Sequence, residues 1–178
     1  MRRMLAISAV ALVTLAGAAG EATAQAPAGF RGEFLGTYGA LESKFTQLTA
    51  AVPQDKWDWR PNKDVRSFCE VFMHIAIDNY MLGGAVGLTM KPEMSAPNAE
   101  KCPANKAAAA TTMKESFAAF KAAIGAMKDA DLEGKFTLFG SSQSKRAWLL
   151  STAEHAGEHL GQLIAYARMN NIVPPWSK

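Results

Sequence analysis

Apolar positions recur in steps of three and four along most of this chain. Phe34, Tyr38, Leu41, Phe45, Leu48 and Val52 form one such stripe, which predicts an amphipathic helix over residues 28–52, ended by Pro53. Phe68, Phe72, Ile75, Leu82 and Val86 form a second, over 68–88. Ser67-Phe68-Cys69-Glu70 marks its start as a capping box, in which Ser67 accepts from the Glu70 amide and Glu70 reaches back. Met113, Phe117, Phe120, Ile124 and Met127 carry a third helix over 107–128, where alanines suit close helix contact. Leu149, Ala153, Leu160, Leu163, Ile164 and Ala167 carry a fourth over 145–171. Ser144 is its cap, and Pro174-Pro175 bars continuation.

The connections are long and polar. Residues 53–66, 89–106 and 129–145 hold prolines, glycines and serines, with Phe136-Thr137-Leu138-Phe139 as a short extended piece in the last. Trp57 and Trp59 could line a ligand pocket or cap the end of a helical core, and capping is the commoner role. Four seamed helices predict an all-α fold, a four-helix bundle with long connecting loops.

The first 24 residues stand apart. Arg2 and Arg3 precede an apolar run from Leu5 to Gly20, and Ala22-Thr23-Ala24 is a small-x-small cleavage signal. The run is broken by Ser8, Thr14, Gly17 and Gly20, which favours a cleaved signal peptide (1–24) over a membrane anchor. The arginine pair lacks the surrounding pattern of twin-arginine export, so general secretion is the expected route. The domain is then 25–178, expected to be exported, most simply to a bacterial periplasm, with no membrane contact after cleavage. The formal charge of the whole chain is +3, and loss of Arg2, Arg3 and Glu21 leaves +2. That offers no footprint for nucleic acid.

Two cysteines, Cys69 and Cys102, fall near the start of the second helix and in the loop after it. An exported chain with an even count permits a bridge, and the loop is long enough to reach back. A buried thiol plus an exposed one is an equal alternative. Neither cysteine has a basic or histidine neighbour that marks an activated nucleophile.

Candidate chemistry lies with the histidines, of which the chain has three. His155 and His159 are one helical turn apart on the same face, and an i, i+4 pair can close on one metal ion. His74 lies on a stripe with Val71, Asp78 and Met81, next to the apolar face of the second helix. On the fourth helix His155, His159, Gln162 and Tyr166 form a matching polar stripe. Bundles build metal sites by pointing such groups inward from facing helices, so His74, His155 and His159 are read as metal ligands. Asp78, Glu154 and Glu158 are candidates to orient the imidazoles, although Glu158 reads better as a solvated surface charge. Gln162 and Tyr166 are candidates to support the ligating histidines or to contact a ligand or metal-bound water. Three imidazoles suit zinc or nickel, and also iron, copper or manganese. A Ser-His-Asp hydrolase is disfavoured, because there is no Gly-x-Ser-x-Gly elbow.

Taken together, these pieces resemble the DinB-like metal-binding four-helix bundles, which are related to bacillithiol- and mycothiol-dependent transferases. The resemblance rests on Trp59-Arg60-Pro61, on Ser67 through His74, and on His155-x-x-x-His159-x-Gly161-Gln162 running to Arg168 with Pro174-Pro175 beyond. It spans essentially the whole domain and is nearest to an exported subgroup. It implies a divalent metal on His74, His155 and His159, a long crossing loop between the first two helices, and often a homodimer. It also implies thiol S-transfer as the best-defined chemistry, with a thiol cosubstrate. The leading expectation is a metal-dependent enzyme of thiol-transferase or hydrolase type acting on a small molecule. A non-catalytic exported metal- or ligand-binding protein, and a bundle with incidental histidines, are the alternatives.

Overall fold

The structure is a computed structural model that describes residues 28–103 and 105–177. The segment read as a signal peptide lies outside the described residues. Four helices dominate: α1 (Gly29–Ala51), α2 (Phe68–Gly83), α3 (Lys106–Ala126) and α4 (Lys145–Met169). Each of α1 and α2 packs against both α3 and α4, so α1 and α2 face each other diagonally across the bundle. Diagonal placement of consecutive helices is what makes the connection between them a long crossing loop. None of the described helices is long and apolar enough to cross a membrane.

The helix starts follow the expected caps. Ser67 accepts from the Glu70 amide and Glu70 returns a bond to the Ser67 N–H, while Ser144 accepts from the Ala147 amide. Arg60 reinforces the first cap by donating to Glu70 at 2.9 Å. Burial pushes the Glu70 carboxyl upward, but the Ser67 N–H and the Arg60 guanidinium outweigh it and hold the group below its usual range.

Helix α2 ends at Gly83, five residues earlier than its apolar spacing predicts. The cause is local close packing. A Cβ at Gly83 would meet Leu88 at 2.9 Å and Phe120 at 3.1 Å. The chain tightens into a short turn over Gly84–Val86, then reverses at Gly87 with φ 87°. That left-handed value is one only glycine adopts freely. Val86 still reaches the core.

The extended piece before α4 is half of a hairpin. Strand β1 (Lys135–Leu138) pairs antiparallel with β2 (Ser141–Ser144). The fold is therefore a four-helix bundle carrying a small β-hairpin between α3 and α4.

Aromatic rings fill the centre. Tyr38, Phe45, Phe117 and Phe120 are fully buried, with ring centroids 5.1 to 5.7 Å apart in the Tyr38–Phe120, Tyr38–Phe117 and Phe45–Phe117 pairs. Trp57 closes one end, stacked on Phe72 at 5.0 Å. Trp59 lies over Phe68 and Tyr166. Both tryptophans therefore cap the core.

A buried polar chain crosses this apolar interior. The Tyr38 hydroxyl donates to Asn79 Oδ1, Asn79 Nδ2 donates to Ser116 at 3.0 Å, and Ser116 donates to the Met113 carbonyl at 2.7 Å. Burial pushes the Tyr38 phenol far up, so it remains a donor. The chain links α1, α2 and α3 in one register. Tyr38→Phe would strand the Asn79 carbonyl in an apolar core. The expected loss is about 1–3 kcal/mol in urea unfolding, with an unchanged denaturant slope.

Candidate metal centre

Helices α2 and α4 bring the three histidines together. His74 projects from α2, and His155 and His159 project from successive turns of α4. Each offers a ring nitrogen, and the three nitrogens lie within 4.8 Å of one another. The rings stand roughly perpendicular, with centroids 4.6 to 5.3 Å apart. All three are partly buried.

Asp78 lies between His74 and His155. Its Oδ2 accepts from His74 Nε2 at 2.9 Å and from His155 Nε2 at 2.7 Å. Burial works against its charge, but the bonds from His155 and His74 overcome that and hold the carboxyl down at about 2. It is therefore a fixed anion between the imidazoles.

The outward nitrogens are also occupied. His74 Nδ1 faces Glu100 at 2.8 Å, and Arg66 holds the Glu100 carboxylate with bonds of 2.7 and 3.1 Å. His159 Nδ1 donates to Gln162 Oε1 at 2.7 Å. Gln162 Nε2 donates to the Tyr166 hydroxyl at 2.8 Å, which donates to the Arg66 carbonyl at 3.1 Å. Arg66 thus closes both arms, one through its side chain and one through its backbone.

These contacts set the imidazoles' charge. Burial pulls His74 downward, yet Asp78 and Glu100 on its two nitrogens carry it above its ordinary value. Burial dominates at His159 and moves it below. The Glu100 carboxyl resists burial through Arg66 and His74 and is lowered. The result is one imidazole favoured neutral and one that attracts positive charge between two carboxylates.

Several sequence expectations land differently in space. Of the two roles open to Gln162 and Tyr166, the structure has the supporting one: Gln162 accepts from His159 and donates to Tyr166. Glu154 is exposed at the mouth of the cleft over the histidines and makes no hydrogen bond to them. The Glu158 carboxylate is 70 % exposed and 3.9 Å from His155 Nδ1, as a solvated surface charge would be. Gly161 has open space where a Cβ would stand, so nothing steric requires it. The sequence reading did not find Glu100 or Arg66. One signal was available: Glu100 is two residues before Cys102. The structure joins Cys102 to Cys69, with Cα atoms 5.6 Å apart. Cys69 and His74 share one helix, so the bridge carries Glu100 to the outer nitrogen of His74.

The donor set fits a divalent cation. Three imidazoles form one cluster, the outer nitrogens of His74 and His159 are taken by Glu100 and Gln162, and the Asp78 carboxylate bonds the inner nitrogens of His74 and His155. Outer acceptors of this kind fix ring orientation and raise ligand basicity in metal-binding histidines.

Comparison with known proteins gives the class. The model of the DinB superfamily matches residues 38–163. The chain belongs to the DinB superfamily. Among solved structures, a DinB-like protein from Bacillus cereus ATCC 10987 superposes with a TM-score of 0.72 at 18% identity, covering 82% of this chain and 95% of that one. The DinB-like protein YjoA from Bacillus subtilis gives 0.65 at 16% identity, covering 82% and 97%. YfiT from Bacillus subtilis gives 0.63 at 11% identity, covering 80% and 88%. YfiT is described as a probable metal-dependent hydrolase with an unusual four-helix bundle topology. At these identities the likeness is one of fold. No curated protein matches the chain significantly.

The bridge has a measurable role. It closes a span of 33 residues. Replacing both cysteines by serine should cost about 3–4 kcal/mol in urea unfolding. Hydrogen exchange should rise most in residues 96–103, which carry Glu100.

Proposed function

We propose that this protein is an exported metalloenzyme that binds one divalent ion through His74, His155 and His159 and hydrolyses a small molecule. The observation that carries this reading is the convergence of three imidazole nitrogens within 4.8 Å of one another, with His74 and His155 bonded to the buried Asp78 carboxylate beside a cleft. YfiT, a fold relative described as a probable metal-dependent hydrolase, supports the reaction class. Export is supported by the apolar leader and by a disulfide, which persists in oxidising compartments.

A bound divalent ion supplies Lewis-acid polarisation of a carbonyl and acidifies a coordinated nucleophile. The chain's own residues do the rest. Glu100 and Gln162 face the Nδ1 atoms of His74 and His159 and fix both rings. The Nε2 protons of His74 and His155 that Asp78 accepts would have to leave for an ion to bind there. Asp78, held near 2, is too weak a base to take a substrate proton and serves as the anion that draws and retains positive charge. Glu154 is an exposed carboxylate lining the cleft, placed to receive a proton from a reacting group. Zinc and nickel suit the donor set best, and iron, copper and manganese remain to be distinguished by content.

Untagged protein should carry close to one equivalent of metal by elemental analysis, and His159→Ala should lose it. Glu100→Ala should keep the fold and weaken metal affinity about 10–100-fold. Chelator should abolish hydrolysis across a panel of small esters and amides. Metal far below one equivalent after reconstitution would overturn the metal reading. A fully metallated protein inert across the panel would leave a binding protein.

A further inference from the structure

The cleft over the histidines has walls that metal binding does not use. It holds about 460 Å³ and is bordered by Met81 and Leu82 from α2, by Ser151, Glu154 and Glu158 from α4, and by Phe139 from the hairpin turn. Phe139 is the most exposed large apolar side chain described, at 74 %. Its φ is 51°, and that of Gly140 is 75°. A two-residue hairpin turn with both φ values positive is normally built from Asn, Asp or Gly. A bulky ring in the left-handed region at the first position is a conformational cost with no packing return.

The turn is held in place. Trp148 Nε1 donates to the Phe136 carbonyl at 2.8 Å, and the two rings meet edge-on at 6.3 Å. Phe136 and Leu138 pack on Leu82, Ala85 and Trp148. Gly84 permits this, because a Cβ there would lie 3.0 Å from the Phe136 ring. The base of the hairpin is therefore fixed to α2 and α4, and its turn places Phe139 at the border of the cleft.

The charge of the cleft is one-sided. Its lining acids are Asp78, Glu154 and Glu158, and among the described residues no lysine or arginine lines it. Arg60, Lys63, Arg66 and Lys101 border a separate cleft on the Glu100 side.

We propose that Phe139 is a specificity-determining residue, and that the cleft takes an arylalkyl amine whose metal-binding end points at the histidines. The ring of such a compound rests on Phe139 and Met81, and its ammonium faces Glu154 and Glu158. Carboxylate-bearing substrates and carboxylate-bearing thiols are disfavoured by like charge at the rim. This assignment rests on the metal reading above.

Titration calorimetry on the full, metal-loaded protein tests it with four hydroxamates. Acetohydroxamic acid reports the ion alone. Phenylacetohydroxamic acid adds a ring, phenylalanine hydroxamic acid adds an amine, and the monohydroxamate of phenylsuccinic acid adds a carboxylate. The ring should tighten binding about tenfold over acetohydroxamic acid. The amine should add about threefold and the carboxylate should lose about as much. Phe139→Ala should erase the gain from the ring and Phe139→Tyr should keep it. Glu154→Gln with Glu158→Gln should level the amine and carboxylate probes. A gain from the ring that survives Phe139→Ala, or a carboxylate probe that binds as well as the amine, overturns the proposal. Failure of the metal reading looks different: acetohydroxamic acid does not bind. In that case 2-phenylethylamine, which has no metal-binding head, tests the wall by amide shifts at Ser151 and Glu154. Equal shifts in the native protein and Phe139→Ala overturn the proposal.

Discussion

A carboxylate buried between two helices governs this structure. Asp78 has a side chain 5 % exposed and a negative charge. An unpaired charge so placed would cost several kcal/mol, so its partners cannot be optional. They are the Nε2 atoms of His74, on its own helix, and of His155, across the interface on α4. The rotation of α2 against α4 is thereby constrained by electrostatics as well as by apolar packing. The same constraint brings His74 and His155 together, because both bond the group that must be neutralised.

The outer contacts extend this logic into the loops. Arg66 precedes the capping box and stands where the crossing loop enters α2. Its guanidinium grips Glu100 from one loop, and its carbonyl accepts from Tyr166 on α4. The cap fixes where α2 begins and so fixes the heights of His74 and Asp78. The disulfide then fixes where the next loop passes. Each is a local device of about 1–4 kcal/mol, and together they define the orientation of two imidazoles. Trp59-Arg60-Pro61 fits the same frame, with Trp59 on Tyr166 and Arg60 on the capping glutamate.

Much of this was legible in the sequence, because much of it is local. Helical periodicity places Phe34 through Leu48, Phe117 through Ile124 and the histidine pair without reference to anything distant. The Ser67–Glu70 cap is a four-residue pattern and is present as read. The parts that were not legible depend on contact across sequence. Glu100 is 26 residues from His74, and its arrival depends on a loop path that composition does not encode. The early end of α2 depends on Leu88 and Phe120 crowding Gly83, while the apolar spacing runs on through Val86. Gln162 was legible as a polar partner of the histidine face. Its role was not, since accepting from His159 and facing a ligand place it on the same stripe. Phe139 carried no signal at all, because a phenylalanine at the end of an apolar run reads as strand.

The division between bundle and loops bears on how one fold serves different chemistries. The histidines, Asp78 and Gln162 lie on α2 and α4, whose mutual position is set by core packing and by a buried ion group. Residues around them come from the connections. Glu100, which orients His74, arrives on the disulfide-tethered loop, and Phe139, which borders the cleft, arrives on a hairpin inserted before α4. Loops tolerate replacement far better than packed helices do. A bundle of this kind can therefore keep its histidine cluster while the reach and shape of its cleft are altered by the α2–α3 and α3–α4 connections. Likeness of fold at 11 to 18% identity accordingly speaks for the helices. What the cleft of this chain accepts is a separate question from its fold, and its borders here are Phe139 and the acidic side chains of Glu154 and Glu158.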